Sequence, residues 1–305
     1  MKKAQFNPYL GLAIGVITVS TSAILVKYST SPAGVIAFYR LFLSVLLLLP
    51  LFLTRYVSEL RLITKRDWLY SMIAGVFLAL HFILWFESLN YTSVASSTVL
   101  VTLQPIFAFV GTYFFFKEKI SFITVISGFI AIIGSVIISW GDFKISGSAL
   151  FGDLLALIAC ALVTVYLMFG QNVRKRLSLI TYTFIVYSFS SLTLFIYVIV
   201  RNESFIPTQS SDWIYFFLLA LFPTLLGHSL FNWAIKWIST STISMAILFE
   251  PVGAIILAYF LLNEVLIWSQ IIGGIIVLGG IGLFVADERK AMVLKSKLAI
   301  PGETK

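Results

Sequence analysis

The sequence predicts an all-α integral membrane protein of ten transmembrane helices, arranged as two inverted five-helix repeats. Three observations lead there. The chain is 60% hydrophobic, 16% aromatic and 11% charged, whereas a soluble domain carries about 25% charged residues. Apolar runs of about 20 residues recur along its length, each long enough to cross ~30 Å of hydrocarbon as a helix. The third is an internal repeat: a single shift lays Ser93 on Ser239, Pro105 on Pro251, Ala108 on Ala254 and Tyr113-Phe114 on Tyr259-Phe260, then Glu118 on Glu264, Gly128 on Gly274 and Gly134 on Gly280. A mid-span proline and helix-packing glycines held in one gapless register are not a product of apolar composition.

Taken in order, the first span covers Tyr9–Tyr28. Met1-Lys2-Lys3, the apolar run and Ser20-Thr21-Ser22-Ala23 resemble a secretory signal, but the apolar run continues to Val26 and nine spans follow, so it reads as a retained first helix. Ala33–Thr54 is the second span, and Trp68–Leu89 the third, with Trp68 at its interface. Thr92–Phe116 is the fourth and carries the first copy of the repeat, while Ser121–Trp140 is the fifth and ends on a tryptophan. Gly152–Gly170 and Leu179–Val200 follow. Trp213–Ile235, Ile238–Leu262 (preceded by Trp237) and Ile267–Ala286 (opened by Trp268) complete the set, the tryptophans reading as interfacial anchors. The domains are therefore 9–140, 152–286 and a basic tail, 287–305, expected either to lie on the anionic inner leaflet or to be disordered. The longest connections, Arg55–Asp67, Gly141–Phe151 and Arg201–Asp212, are too short for a soluble domain.

Lysine and arginine set the orientation. With the N-terminus in the cytoplasm, every basic residue falls inside except Lys27, Lys144 and Arg201, and Arg40 within a span. The +8 net charge is thus a topology signal, not a nucleic-acid footprint. Both termini are expected in the cytoplasm, with the chain in the plasma (inner) membrane. Five spans per half is an odd number, so the second half must be inverted. Lys117-Glu118-Lys119 lies inside and its partner Asn263-Glu264-Val265 outside. The glutamates survive the inversion and the lysines do not, so Glu118 and Glu264 read as helix-terminus residues.

Inverted repeats imply alternating access around a midplane site built on interrupted helices. Gln104 and Glu250 lie twelve residues into spans four and nine, ~18 Å deep, near the bilayer centre. The next residues, Pro105 and Pro251, are the helix breaks, and free the carbonyls of Val101 and Ile247. A carboxylate, an amide and two free carbonyls suit an ammonium or another donor. His81 with Trp85, and His228 with Asn232, pair at helical spacing in equivalent spans. The substrate-binding candidates are therefore His81, Trp85, Gln104, His228, Asn232 and Glu250. Glu250 is also the candidate for proton coupling, since an intramembrane acid marks a proton or ion pathway. Arg40 is expected to bond helix-end carbonyls or a carboxylate, with anion recognition as the alternative. Lys27 and Lys236 are expected to snorkel, and Glu87, beside Asn90, to reach the headgroups.

The two copies of Pro-x-x-Ala…Tyr-Phe…Glu followed by Gly-x-x-x-x-x-Gly resemble the EamA-type transporters of the drug/metabolite transporter superfamily, and Tyr39-Arg40-Leu41 resembles their second-helix arginine. The resemblance covers nearly all of 9–286. It implies ten helices around a central cavity, cytoplasmic termini, export of small metabolites such as amino acids, and cavity-lining roles for His81 and Trp85. Gln104 departs from a symmetric carboxylate pair. The first span has no glutamate, unlike the small-multidrug-resistance branch.

The resulting expectation is a secondary transporter, an exporter of an amino-acid-like or aromatic metabolite, acting as a monomer or homodimer on a proton or ion gradient. A nucleotide-sugar or phosphate-ester transporter would need more cavity cations than Arg40. A channel is the alternative of another class. An intramembrane enzyme would need a serine dyad, paired aspartates or a histidine–acid motif, and none stands out, so the chain reads as a non-enzyme. One cysteine, Cys160, and two histidines give no disulfide and no metal site, and no cofactor is expected. The partners are a small molecule and the lipid bilayer, with no nucleic acid.

Overall fold

A computed structural model of the chain describes residues 6–117, 120–140, 147–263, 265 and 267–298. Ten helices follow one another: α1 (Pro8–Tyr28), α2 (Ala33–Leu51, drawn out by irregular turns to Leu62), α3 (Lys65–Ser88), α4 (Val94–Phe116), α5 (Phe122–Ser139), α6 (Gly147–Val173), α7 (Leu179–Val200), α8 (Asp212–Ala234), α9 (Thr240–Leu261) and α10 (Trp268–Leu298). Among the described residues, nine are long and apolar enough to cross a membrane, and α5 is the shorter apolar tenth.

Polar residues fix where the helices start. Asn7, Thr64, Ser93, Ser121, Ser178 and Ser239 each accept a hydrogen bond from a backbone N–H of the first turn, satisfying a donor that has no partner inside the helix. Thr64 and Asp67 form a reciprocal capping box. The start of α6 at Gly147, not Gly152, departs from expectation. Gly152 does not break the helix: a Cβ there would lie 2.8 Å from Tyr91 Cβ and 3.0 Å from the Ser88 carbonyl. It is a glycine of close approach.

Four helices are interrupted. α4 divides into Val94–Val101 and Gln104–Phe116, and α9 into Thr240–Ile247 and Glu250–Leu261, at the same repeat positions. These breaks follow from Pro105 and Pro251. The other two lie outside the repeated proline positions, although Pro223 marks the second. α1 breaks at Ser20–Thr21, between Pro8–Val19 and Ser22–Tyr28. Here the Thr18, Ser20 and Thr21 hydroxyls all bond back to carbonyls of the preceding turn, which bends helices. α8 widens into π-helical turns over Ala220–His228, around Pro223, and Thr224 Oγ1 bonds the Leu219 carbonyl at 2.8 Å.

The packing has a two-fold pattern. α2 meets α7, α4 meets α9 and α5 meets α10, each helix touching its own repeat equivalent. α3 packs on α6, and α8 on α1, the corresponding exchanged pair. The α5–α10 contact is closest. A Cβ on Gly134 would lie 2.7 Å from the Gly273 carbonyl oxygen and Val277 nitrogen, and one on Gly280 would lie 2.8 Å from Ser127 O and Ala131 N. Backbones that approach like this supply the dispersion contacts that replace the hydrophobic effect inside lipid.

Lys27 is exposed, and its Nζ donates to the Leu89 carbonyl at 2.5 Å, tying α1 to the end of α3. Glu87 accepts from Asn90 at 3.3 Å. The expectations for Glu118 and Glu264 lie outside the described residues, and so does the end of the tail beyond Leu298.

The glycine geometry gives a paired prediction. Gly134→Ala and Gly280→Ala each force backbone apart and should destabilise by about 1–3 kcal/mol. Gly279→Ala and Gly282→Ala meet nothing within 4 Å and should be neutral or slightly stabilising. Thermal unfolding of the purified protein in detergent distinguishes the pairs; equal effects at all four positions would contradict the packing argument.

Candidate functional site

The interruptions converge on one buried cavity. It is lined by Val19 of α1, His81 and Trp85 of α3, Val101 and Gln104 of α4, Val163 and Leu167 of α6, His228 and Phe231 of α8, and Ile247 and Glu250 of α9. Val101 and Ile247 are the residues whose carbonyls the two prolines leave without their usual donor. The cavity is constricted. About 20 Å³ is free to the centre of a water-sized sphere, room for one or two waters.

Its polar groups hold back much of their bonding capacity. Glu250 opens the second half of α9, where a carboxylate meets the positive end of a helix dipole. It is buried, and its backbone oxygen accepts from Ser20 Oγ at 3.3 Å. No described cation forms an ion pair with it, although the Arg40 charge acts on it. Gln104 Oε1, Trp85 Nε1 and His228 Nδ1 are buried without a hydrogen-bond partner among the described residues. His81 Nδ1 lies 3.0 Å from the Ala159 carbonyl. A carbonyl only accepts, so Nδ1 donates, and the Nε2 of a neutral ring is left as an acceptor. His81 stacks on Trp85 with centroids 5.7 Å apart, and Phe82 bridges to His228 edge-on at 5.4 Å.

Of the six binding candidates, His81, Trp85, Gln104, His228 and Glu250 come together around the cavity, although they arise from four helices. Asn232 does not. Its Oδ1 accepts from Tyr166 at 2.8 Å and its carbonyl from Arg174 Nε at 2.7 Å. Asn232 shares a helix face with His228, but its side chain is held by Tyr166 of α6 and does not line the cavity. Arg40 also departs from expectation. It is fully buried, and it bonds neither a carbonyl nor a carboxylate. Nε donates to Thr224 Oγ1 at 2.7 Å and Nη1 to Ser22 Oγ at 2.8 Å. The guanidinium lies 4.1 Å from the centroid of the Phe82 ring, a cation–π contact. The apolar wall of Val19, Val163, Leu167 and Phe231 carried no signal that separated it from other apolar residues.

A family model described as the EamA-like transporter family matches residues 7–140 and again 150–286. The uncharacterized transporter YetK of Bacillus subtilis is 26% identical over 300 residues, covering 94% of this chain and 89% of that protein. A riboflavin transporter, ImpX, of Fusobacterium nucleatum is 23% identical over 195 residues, covering 62% of this chain and 65% of its own. Two further curated relatives are matched over 62% and 61% of their length. A solved crystal structure at 17% identity superposes with a TM-score of 0.73, covering 96% of this chain and 99% of that one. At that identity the likeness speaks for the fold.

Each orphaned polar atom costs the folded state about 1–3 kcal/mol. Replacing Gln104 by Met, or His228 by Phe, should therefore leave the thermal midpoint unchanged or raise it. Asn232 Nδ2 is orphaned too among the described residues, but its Oδ1 takes the Tyr166 hydroxyl, so substituting it strands that buried donor and should lower the midpoint. A fall in all three would make the first two structural residues.

Proposed function

Because the chain belongs to the EamA-like transporter family, we propose that it is a secondary transporter that exports a small amino-acid-like or aromatic metabolite across the plasma membrane, with both termini in the cytoplasm. The observation that carries this reading is the cavity at the helix breaks. Five chemistry-bearing side chains from both repeats surround it, and two proline-broken helices contribute Val101, Gln104, Ile247 and Glu250 to its lining. Transporters of inverted-repeat design place their sites in this position.

The residues divide the work. Glu250 and the Gln104 Oε1 accept, meeting an ammonium or ring N–H of the substrate. The Trp85 indole N–H donates. His81, Trp85, His228 and Phe231 supply ring faces for an aromatic body. The constriction marks a closed state, so a substrate enters only when the halves rock apart. Glu250, buried without an ion pair, is the proton-coupling group of the proposal: its charge state changes as the cavity alternates between water on the two sides.

A second reading rests on the aromatic lining and on the printed name of one relative, a riboflavin transporter. In that case the cargo is a fused aromatic heterocycle lying between His81–Trp85 and His228. A phosphate-ester cargo is disfavoured because no cation lines the cavity.

Proteoliposomes test both readings. Uptake and counterflow would be measured for amino acids, aromatic metabolites and riboflavin, with and without an imposed pH gradient. Glu250→Gln should keep counterflow but lose at least about tenfold of gradient-driven flux, a difference of about 1.4 kcal/mol in drive. His81→Ala should weaken both. Transport that is saturable yet unaltered in both variants would remove the site assignment, and gradient-independent wild-type transport would remove the proton role.

A further inference from the structure

A second recess lies at the opposite extreme of depth, at the end of the bundle where α3 begins and α4 and α6 end. Its volume is about 380 Å³. The walls are apolar and aromatic: Tyr70 and Ile73 of α3, Phe116 of α4, and Val165, Met168 and Phe169 of α6. Tyr70 and Phe169 meet edge to face at 5.1 Å.

Two cations stand at this recess, one on each side. The Arg66 guanidinium lies 4.9 Å from the Tyr70 ring centroid, and Lys175 Nζ lies 5.7 Å from that of Phe116. Neither makes an ion pair with a described residue. The neighbouring acid is already taken. Asp67 binds Arg176 and caps α3 through Thr64, and Arg176 is held further by Asn172 Oδ1 at 3.0 Å. Glu59 accepts the Ser178 N–H at 3.2 Å. The Arg176–Asp67 pair is therefore neutral, and among the described residues no acid pairs with Arg66 or Lys175 beside the apolar recess. The Asn172 amide N–H groups add donors at the same place.

We propose that this recess binds one anionic diacyl phospholipid, with an acyl chain between α3, α4 and α6 and the phosphate between Arg66 and Lys175. Within a membrane, the open side of a crevice on the bundle's surface meets lipid. Apolar walls alone would take any acyl chain, and a basic rim selects the headgroup. Another large surface recess shows the contrast. It lies between α1, α9 and α10, has a volume of about 420 Å³ and is lined by Asn7, Tyr9, Thr242 and apolar side chains, with no cation among the described lining residues. Its hydrogen-bond donors carry no positive charge to select a phosphate. The proposed site is independent of the transport reading and depends on no cargo. Its assignment to the cytoplasmic leaflet follows the proposed orientation, but lipid affinity does not.

Native mass spectrometry of the full chain tests the proposal, with micelles doped with phosphatidylglycerol or phosphatidylcholine. The wild type should retain one phosphatidylglycerol in preference to phosphatidylcholine. The double variant R66Q/K175Q should bind it at least about tenfold more weakly, since each basic group near a lipid surface contributes about fivefold. R55Q/R61Q removes the same charge at the same end, from exposed positions outside the recess, and should change affinity less than about twofold. Val165→Phe fills the recess with both cations intact and should displace the lipid, with thermal unfolding confirming that it folds. Equal losses in the two double variants would reduce the effect to general surface attraction and overturn the proposal. So would equal retention of the two lipids by the wild type.

Discussion

Lipid offers no hydrogen bonds, so a backbone N–H or C=O left unpaired in the hydrocarbon costs several kcal/mol. That constraint shapes the whole molecule. α1, α4, α8 and α9 turn their interruptions inward onto one cavity. The interruptions are repaired by side chains. Ser and Thr hydroxyls take the loose carbonyls of α1 and α8, and Ser20 reaches across to the backbone oxygen of Glu250 in α9. The polar interior is thus a consequence of broken helices as well as a place for a ligand.

Arg40 is the clearest product of the same constraint. A buried guanidinium without a carboxylate is costly, yet here it joins the two breaks that proline periodicity did not announce. It bonds Ser22, at the start of the second half of α1, and Thr224, within the π turns of α8, and it lies on the Phe82 ring. Its Nη2 has no partner among the described residues. Arg40 lies behind the cavity wall, not in it. It makes no ion pair with Glu250.

The sequence exposed the parts of this structure that repeat. The shift that lays Ser93 on Ser239 located both serine caps, both proline breaks and the glycines Gly134 and Gly280 that lock α5 to α10. Helical spacing brought His81 and Trp85 onto one face, and depth alone brought Gln104 and Glu250 to one level. Two kinds of information were out of reach. Breaks made by hydroxyl back-bonding, as at Ser20–Thr21, leave no proline or glycine to read. Tertiary claims on a side chain are also invisible along one helix: Asn232 shares a face with His228, but Tyr166 from α6 holds it. The same applies to Arg174, which reads as a solvated cytoplasmic cation yet is buried against the carbonyls of Asn232 and Leu177.

The two-fold pattern is broken at one place that matters. α4 and α9 cross as equivalent halves, with Thr112 and Ser241 hydroxyls 2.8 Å apart where the second half of α4 meets the first half of α9. In an exact two-fold, opening toward one side would be the image of opening toward the other, and the two states would have equal energy. Gln104 against Glu250 removes that equality at the cavity, because an amide cannot ionise and a carboxyl can. A ligand or proton can shift an equilibrium only by interacting differently with its two states. The packing of α2 on α7 and α5 on α10, nearly the same viewed from either side, supplies little such difference. The asymmetric pair at the breaks, with the Arg40 charge behind it, supplies it at the cavity itself.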